Sequence, residues 1–156
     1  MGRVLAGPAF VQMARRVQAR DGRVVFTNGV FDLLHYGHVA YLQKARRLGD
    51  VLLVAVNSDR SVRRLKGPSR PLVPLHDRMR VLAALECVDA VTSFHEDTPV
   101  RLIERVRPDV LVKGADYRVS EIVGSATVKA RGGRVVRIKL SEGRSTSRLI
   151  DRIKRS

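Results

Sequence analysis

The 156-residue sequence carries 30 Lys and Arg against 15 Asp and Glu, a formal charge of +15, and is 44% hydrophobic and 29% charged. That balance belongs to a globular chain rather than a disordered one, and a single domain of this length buries roughly 70% of its unfolded surface. The longest apolar run, Val51 to Val56, is too short to span a bilayer, no early segment has the build of a secretory signal, and Cys87 has no second cysteine to pair with, so a cytoplasmic protein is expected.

The charge asks for an anionic partner. Basic residues are spread along the chain with no block of five like charges, and aromatics make up only 4%. A stacking surface for nucleic acid is therefore not expected, whereas a basic field that favours phosphate-bearing small ligands is.

In chain order, a first helix is predicted over about residues 8–20, opening near Pro8 with Phe10, Ala14 and Val17 on one face. Arg23 to Asn28 reads as a strand, Gly29 to Tyr36 as a loop, and Gly37 to Leu48 as a helix closed by Gly49. Val51 to Val56 is a continuous apolar run of the kind buried on both faces of a sheet. A polar Gly/Pro loop from Lys66 to Pro74 leads to a helix from about Leu75 to Glu86 and a strand at Ala90 to Phe94. A helix over Pro99 to Val106, a strand at Asp109 to Lys113, a loop with a helix ending at Gly132, and a strand at Arg134 to Leu140 follow. Ser145 opens a last helix. Alternating strands and helices without repeats or linkers predict one α/β domain over 1–156: a doubly wound five-stranded parallel sheet with helices on both faces. Ligands of such sheets bind beyond the carboxyl ends of the strands, where strand order reverses.

Neither the dinucleotide glycine fingerprint nor the phosphate-loop motif occurs. Thr27-Asn28-Gly29-Val30-Phe31-Asp32-Leu33-Leu34-His35-Tyr36-Gly37-His38 lies directly after the first long strand and opens a helix. It places two histidines where unpaired amides and the helix dipole favour phosphate. Gly37 between them would let backbone approach a ligand. The histidines could equally cap the helix. Zinc lacks support, because the chain offers no thiol pair or further histidine at ligand spacing, and no protein-held metal site is expected.

The segment from Thr27 to His38 resembles the signature of the cytidylyltransferase-like nucleotidyltransferases, whose domain is Rossmann-like. The resemblance covers nearly the whole chain and is strongest to adenylyltransferase domains that make ADP-heptose from D-glycero-D-manno-heptose 1-phosphate, alone or fused to a sugar kinase. Matching stretches include Tyr41 to Arg46, Val56-Asn57-Ser58-Asp59, Arg70-Pro71-Leu72, Asp77-Arg78, Leu82 to Asp89, Pro108 to Tyr117, and Glu142-Gly143-Arg144-Ser145-Thr146-Ser147.

The resemblance implies one in-line step, in which a phosphate oxygen of a sugar 1-phosphate attacks the α-phosphorus of ATP and pyrophosphate leaves. It implies a catalytic role for His35 and His38, which would hold the triphosphate, and for Lys66. Lys66 falls in the loop expected to fold over phosphates, or is simply solvated. Thr27, Asn28, Gly29, Phe31 and Gly37 would line the nucleotide; Lys113, Gly114 and Asp116 would flank base and ribose. Ser145, Thr146 and Ser147 would meet the outer phosphates, although Ser and Thr are also good helix caps. Asn57 and Arg78 would serve the acceptor, Arg78 because a cation at a helix start gains nothing from the dipole. Asp32 and Asp59 would orient acceptor hydroxyls or cap loops. Magnesium is expected with the triphosphate, held mainly by phosphate oxygens and water. Dimers are common in that family, and a separate sugar kinase is expected to supply the acceptor.

Two positions bear on the base. Glycerol-phosphate cytidylyltransferases usually carry an arginine where Leu140 precedes Ser141-Glu142-Gly143, and a tryptophan where Tyr117 stands. Both differences favour ATP over CTP. Val30 and Arg144 depart from the cysteine and tyrosine common among the heptose enzymes. The alternatives are a cytidylyltransferase acting on glycerol 3-phosphate or another polyol phosphate, and a basic nucleic-acid-binding module without catalysis.

Overall fold

The computed structural model describes residues 1–115, 118–139, 150, 153 and 155. The helix expected from Ser145 starts outside them. The elements are β1 (Arg3–Val4), α1 (Gly7–Gln18), β2 (Val24–Gly29), α2 (Tyr36–Arg46), β3 (Val51–Asn57), α3 (Asp59–Lys66), α4 (Leu75–Ala84), β4 (Ala90–Phe94), α5 (Val100–Val106), β5 (Val110–Gly114), α6 (Ser125–Lys129) and β6 (Arg134–Ile138). A short 3-10 turn, Val119–Glu121, sits between β5 and α6. The strands pair in parallel in the order β1-β4-β3-β2-β5-β6.

Six strands rather than five form the sheet among the described residues. The added one is β1, two exposed residues with no apolar run to announce them. It pairs with β4 through Arg3 and Val4, and the Leu5 amide continues the ladder to the Val91 carbonyl at 2.9 Å. A second departure is α3. The segment around Arg63 and Arg64 offers only Val62 and Leu65 as apolar residues, too few to announce a helix, yet the Ser58 hydroxyl caps the Ser61 amide at 3.3 Å and starts one there. Lys66 is accordingly the last residue of α3 and not part of the loop that follows.

Side-chain alternation along the strands builds two cores. Val25, Leu52, Val54, Val56, Val91, Val110 and Val112 face Tyr41, Leu42 and Ala45 of α2 and Leu82 and Ala83 of α4. The intervening Val24, Phe26, Leu53, Ala55, Ala90 and Leu111 face Phe10 and Ala14 of α1, Leu102, Ile103 and Val106 of α5, and Val128 of α6. Apolar residues at both parities explain why β3 reads as an unbroken run.

At the amino edge, three aspartates that directly precede strands bind amides of a neighbouring strand. Asp50 accepts from Arg23 at 2.6 Å, Asp89 from Leu52 at 2.7 Å and Asp109 from Val24 at 2.8 Å. The opposite edge is where chain direction across the sheet reverses. From β2 the chain moves to β3 and β4 on one side, and β5 and β6 lie on the other. The ends of β2 and β5, Asn28-Gly29 and Lys113-Gly114, flank that reversal.

Gly49 packs where a Cβ would stand 2.7 Å from both the Arg23 carbonyl oxygen and Val25 Cγ2. Gly49→Ala should destabilise the protein by about 1–3 kcal/mol, because backbone must move to admit the methyl. Gly7, with nothing within 4 Å of its Cβ position, is the matched control. Gly7→Ala should fall within about 1 kcal/mol of wild type on the stabilising side. Urea unfolding of both variants checks the pair; equal midpoints would contradict the packing described.

Candidate active site

A cleft opens over the carboxyl edge. Its walls include Asn28, Gly29, Val30, Phe31 and Asp32 after β2, His38 and Tyr41 of α2, and Asn57 at the end of β3. Leu65 and Lys66 of α3, Arg70, Asp97 to Pro99, Lys113 and Gly114 of β5, and Glu121 to Val123 complete it. A second concavity lies at the amino edge, lined by Arg23, Arg107, Arg131 and Arg134 among others. Its arginines are all exposed, whereas the carboxyl-edge cleft combines buried polar groups with the strand-order reversal. The latter is the candidate site.

The two histidines form a reciprocal cap. The Gly37 amide donates to His35 Nδ1 at 3.1 Å, and the His35 amide donates to His38 Nδ1 at 3.4 Å. The rings lie 4.1 Å apart, and Phe31 meets His38 edge-on at 5.7 Å. A ring nitrogen that accepts an amide hydrogen cannot carry the proton of the neutral imidazole. Each neutral ring therefore holds its proton on Nε2, as a hydrogen-bond donor. Burial, with the charge of His35 second, pushes the His38 pKa down to about 4, so His38 is neutral at pH 7. The capping and ligand-facing readings of these histidines are compatible: the cap sets the tautomer that leaves Nε2–H available. The same pattern opposes zinc at Nε2, since a ligating ring would need its proton on Nδ1, against an amide N–H.

Asn28 Oδ1 is buried and has no hydrogen-bond partner, alone in this among the side-chain atoms of the described residues. A buried orphan acceptor costs about 1–3 kcal/mol, which a ligand donor or cation would recover. Lys113 Nζ donates to the Asn28 carbonyl at 3.1 Å and ties β5 to β2 across the reversal.

Several of the expected site residues are engaged within the protein. Arg78 is 1% exposed and is not among the cleft walls. Its guanidinium donates to the carbonyls of Val73, Val30 and Asn57 and to Asp59 Oδ1, four acceptors from four segments. A buried cation needs such a set to offset its lost hydration, which explains a position that the helix dipole does not. Asp59 is its counter-ion and is not among the cleft walls. Asp32 caps a loop: its carboxylate accepts the Leu72 amide at 2.9 Å, the Val73 amide at 2.8 Å and Arg70 Nε at 2.7 Å. Burial alone would raise its pKa, yet the two amides and the Arg70 guanidinium hold it below its ordinary value. Thr27 is fully buried, its hydroxyl 2.8 Å from that of Tyr41, and so joins β2 to α2 rather than lining the cleft. Gly37 is buried inside the histidine cap and His35 backs His38; neither lines the cleft. Asn57 does, its amide nitrogen donating to Ser61 Oγ at 3.1 Å. Asp116, Tyr117, Leu140, Arg144, Ser145, Thr146 and Ser147 lie outside the described residues. Arg70, Tyr41 and Leu65 are cleft residues with no assigned role in the sequence reading. An arginine that closes a Gly/Pro loop beside a strand end was the available signal for Arg70.

Because His38 has a folded pKa of about 4 against an ordinary 6.5, the unfolded chain binds its proton first as pH falls. Its contribution to stability is complete above 6.5 and is lost progressively toward 4. Thermal unfolding across pH 7.5 to 4.5 should therefore show a shallower pH dependence in His38→Gln than in wild type. Parallel curves would contradict the burial of the neutral ring.

Comparison with known proteins agrees with this fold. The cytidylyltransferase-like family model matches residues 26–152. Bifunctional protein HldE of Citrifermentans bemidjiense is 58% identical over 138 residues, which cover 88% of this chain and 28% of that protein. HldE of Syntrophotalea carbinolica is 59% identical with the same coverage. The chain thus spans somewhat over a quarter of the length of these relatives. Among solved structures, the lipopolysaccharide core biosynthesis protein of Thermoplasma volcanium superposes with a TM-score of 0.67 at 31% identity, covering 78% of this chain and 99% of that one. Pantoate-beta-alanine ligase of Francisella tularensis shares the fold at a TM-score of 0.64 and 15% identity, covering 94% of this chain and 69% of the ligase. With its histidine-capped helix at the reversal of a parallel sheet and a family match across four fifths of its length, the chain belongs to the cytidylyltransferase-like family.

Proposed function

We propose that this domain transfers AMP from ATP to a sugar 1-phosphate, with D-glycero-D-manno-heptose 1-phosphate as the acceptor and ADP-heptose and pyrophosphate as products. The observation that carries the reading is the neutral, Nε2-protonated His38 at the start of α2, beside the reversal between β2 and β5. A neutral ring with its proton directed by a backbone bond is a poor base and a good donor. The reaction needs no base, because the acceptor's phosphate is already ionised at neutral pH. One of its oxygens forms the new bond to the α-phosphorus, the bond to the bridging oxygen of the leaving pyrophosphate breaks, and no proton is transferred. Catalysis then consists of orienting the two phosphates and stabilising charge on the oxygens of the α-phosphorus. His38 would donate to those oxygens, with His35 holding it in place. Lys66 and the segment Ser145 to Ser147 would meet the outer phosphates, and Lys113, Gly114 and Asp116 the nucleoside. Two supports favour a heptose acceptor: the resemblance of motifs along the chain, and 53–59% identity to relatives named as bifunctional protein HldE. A kinase activity outside these residues would phosphorylate the acceptor.

Magnesium fits as an ion carried by the triphosphate. Asp32 and Asp59 are engaged by cations and amides, and Asn28 Oδ1 offers a neutral oxygen to it or to a ligand hydroxyl. When bound, the ion neutralises charge on the phosphate oxygens.

Pyrophosphate release from ATP should require a sugar 1-phosphate; equal release without acceptor would point to hydrolysis. His38→Ala should lower kcat by roughly 10²–10³ with the fold retained, as for loss of one preorganised donor. Wild-type turnover in that variant would remove His38 from the mechanism. ATP should be preferred over CTP in kcat/KM by roughly ten- to a hundredfold, because Leu140, at the position where the resemblance puts a cytosine-reading arginine, would offer no donor and leave cytosine's acceptors unpaired. Equal values, or a lead for CTP, would favour the polyol-phosphate cytidylyltransferase.

A further inference from the structure

We infer that Arg70 is the receptor for the acceptor's phosphate and that Asp32 is its positioning residue, an assignment that rests on the transfer reaction proposed above. Arg70 lines the cleft, with a side chain 15% exposed. Its Nε donates to Asp32 Oδ2 at 2.7 Å, and among the described residues neither terminal nitrogen makes a hydrogen bond. A guanidinium bound through Nε keeps a second fork, formed by the two terminal nitrogens, that matches two oxygens of a phosphate.

That fork is held from behind. The Asp32 side chain is 1% exposed, and its Oδ1 accepts the amides of Leu72 and Val73 at 2.9 and 2.8 Å, the Leu72 amide also reaching Oδ2 at 3.1 Å. Asp32 is therefore fixed by the loop it closes and cannot also bind a sugar hydroxyl without giving up an amide. The loop, the carboxylate and the arginine form one unit. An arginine held this way has already lost most of the rotamer freedom that a surface side chain gives up on binding.

Ligand assignment follows from what the other groups offer. His38 opens α2, where the nucleotide's α-phosphate is proposed to lie, and Lys113 and Gly114 form the β5 flank. Arg70 lines the same cleft, held to Asp32 just after β2, and Asn57, the last residue of β3, lies on the opposite side of β2 from β5. Lys66 is an exposed point charge at the end of α3, suited to a leaving group that must depart. The nucleophile has the stricter requirement, since one of its oxygens must be aimed in line with the bond that breaks. A fixed fork meets that requirement and a flexible ammonium does not.

Steady-state kinetics and binding separate the outcomes. In Arg70→Ala, KM for the sugar 1-phosphate should rise roughly 10- to 100-fold, the loss expected for charge-assisted hydrogen bonds, while KM for ATP holds within about twofold. Arg70→Lys keeps the charge and the pairing to Asp32 but loses the fork, and should also raise the acceptor KM. Asp32→Asn should raise the acceptor KM too, and the double variant Asp32→Asn/Arg70→Ala should be no worse than Arg70→Ala, because both changes disable one unit. Equal losses for ATP and acceptor, a wild-type acceptor KM in Arg70→Lys, or additive effects in the double variant would each overturn the assignment. If wild-type protein transfers nothing to any sugar 1-phosphate, the proposed reaction fails. NMR titration with inorganic phosphate still tests Arg70 in that case: shifts in the Leu72 and Val73 amides, abolished in Arg70→Ala, uphold a phosphate receptor, and their absence in wild type overturns it.

Discussion

The geometry of the cleft depends on one buried cation. Arg78 has no contact with water, and its guanidinium is satisfied by the carbonyls of Val30, Asn57 and Val73 and by the carboxylate of Asp59. These acceptors belong to the loop after β2, the end of β3, the approach to α4 and the start of α3. The apolar core reaches them only through Phe31, Val56 and Leu75, because strand ends and loops have few side chains to bury. Polar linkage supplements packing there, and a desolvated cation enforces it, since leaving any acceptor costs more than it would in water. The loop carrying Arg70 and the end of β2 carrying Asn28 are both within reach of this one group.

The same residue marks the limit of what sequence can reveal. A cation at the start of a helix reads as an anion ligand, because its acidic partner is supplied only across the fold. Only the Val73 carbonyl is near in the chain; the other three partners are 19, 21 and 48 residues away, and only folding brings them together. Asp32 is ambiguous for the same reason: its partners start at Arg70, 38 residues on. Elements with a strong apolar pattern were legible, with β4 recovered to the residue and β3, α1 and α5 within one or two. Their burial is written in local composition. Neither α3 nor β1 was legible. Among its eight residues α3 buries only Ser61 and Val62 and begins because Ser58 caps it, and β1 exists because β4 offers it an unpaired edge. The histidine motif was legible as a site, while the direction of its protons required the backbone bonds.

A chain with twice as many basic as acidic residues invites the expectation of a site crowded with positive charge. The cleft is arranged otherwise. His38 is kept neutral by burial, Arg70 is paired with Asp32, and Lys113 rests on a carbonyl. Phosphate would meet oriented N–H groups set by the fold, with charge in a supporting role. Directed donors discriminate among phosphate oxygens by angle, which a diffuse basic field does not.

The aspartates at the amino edge bear on how the strands find their alignment. A run such as Val51 to Val56, apolar at every position, presents nearly the same surface after sliding by one residue, so hydrophobic alternation cannot reject the slipped pairing. Asp50, Asp89 and Asp109 can reject it. Each carboxylate bonds one particular amide on the adjacent strand, and a one-residue slide would set it against a side chain or a carbonyl instead. The sheet thus separates two tasks: valine and leucine supply cohesion without regard to alignment, and three acidic residues at its rim keep the count.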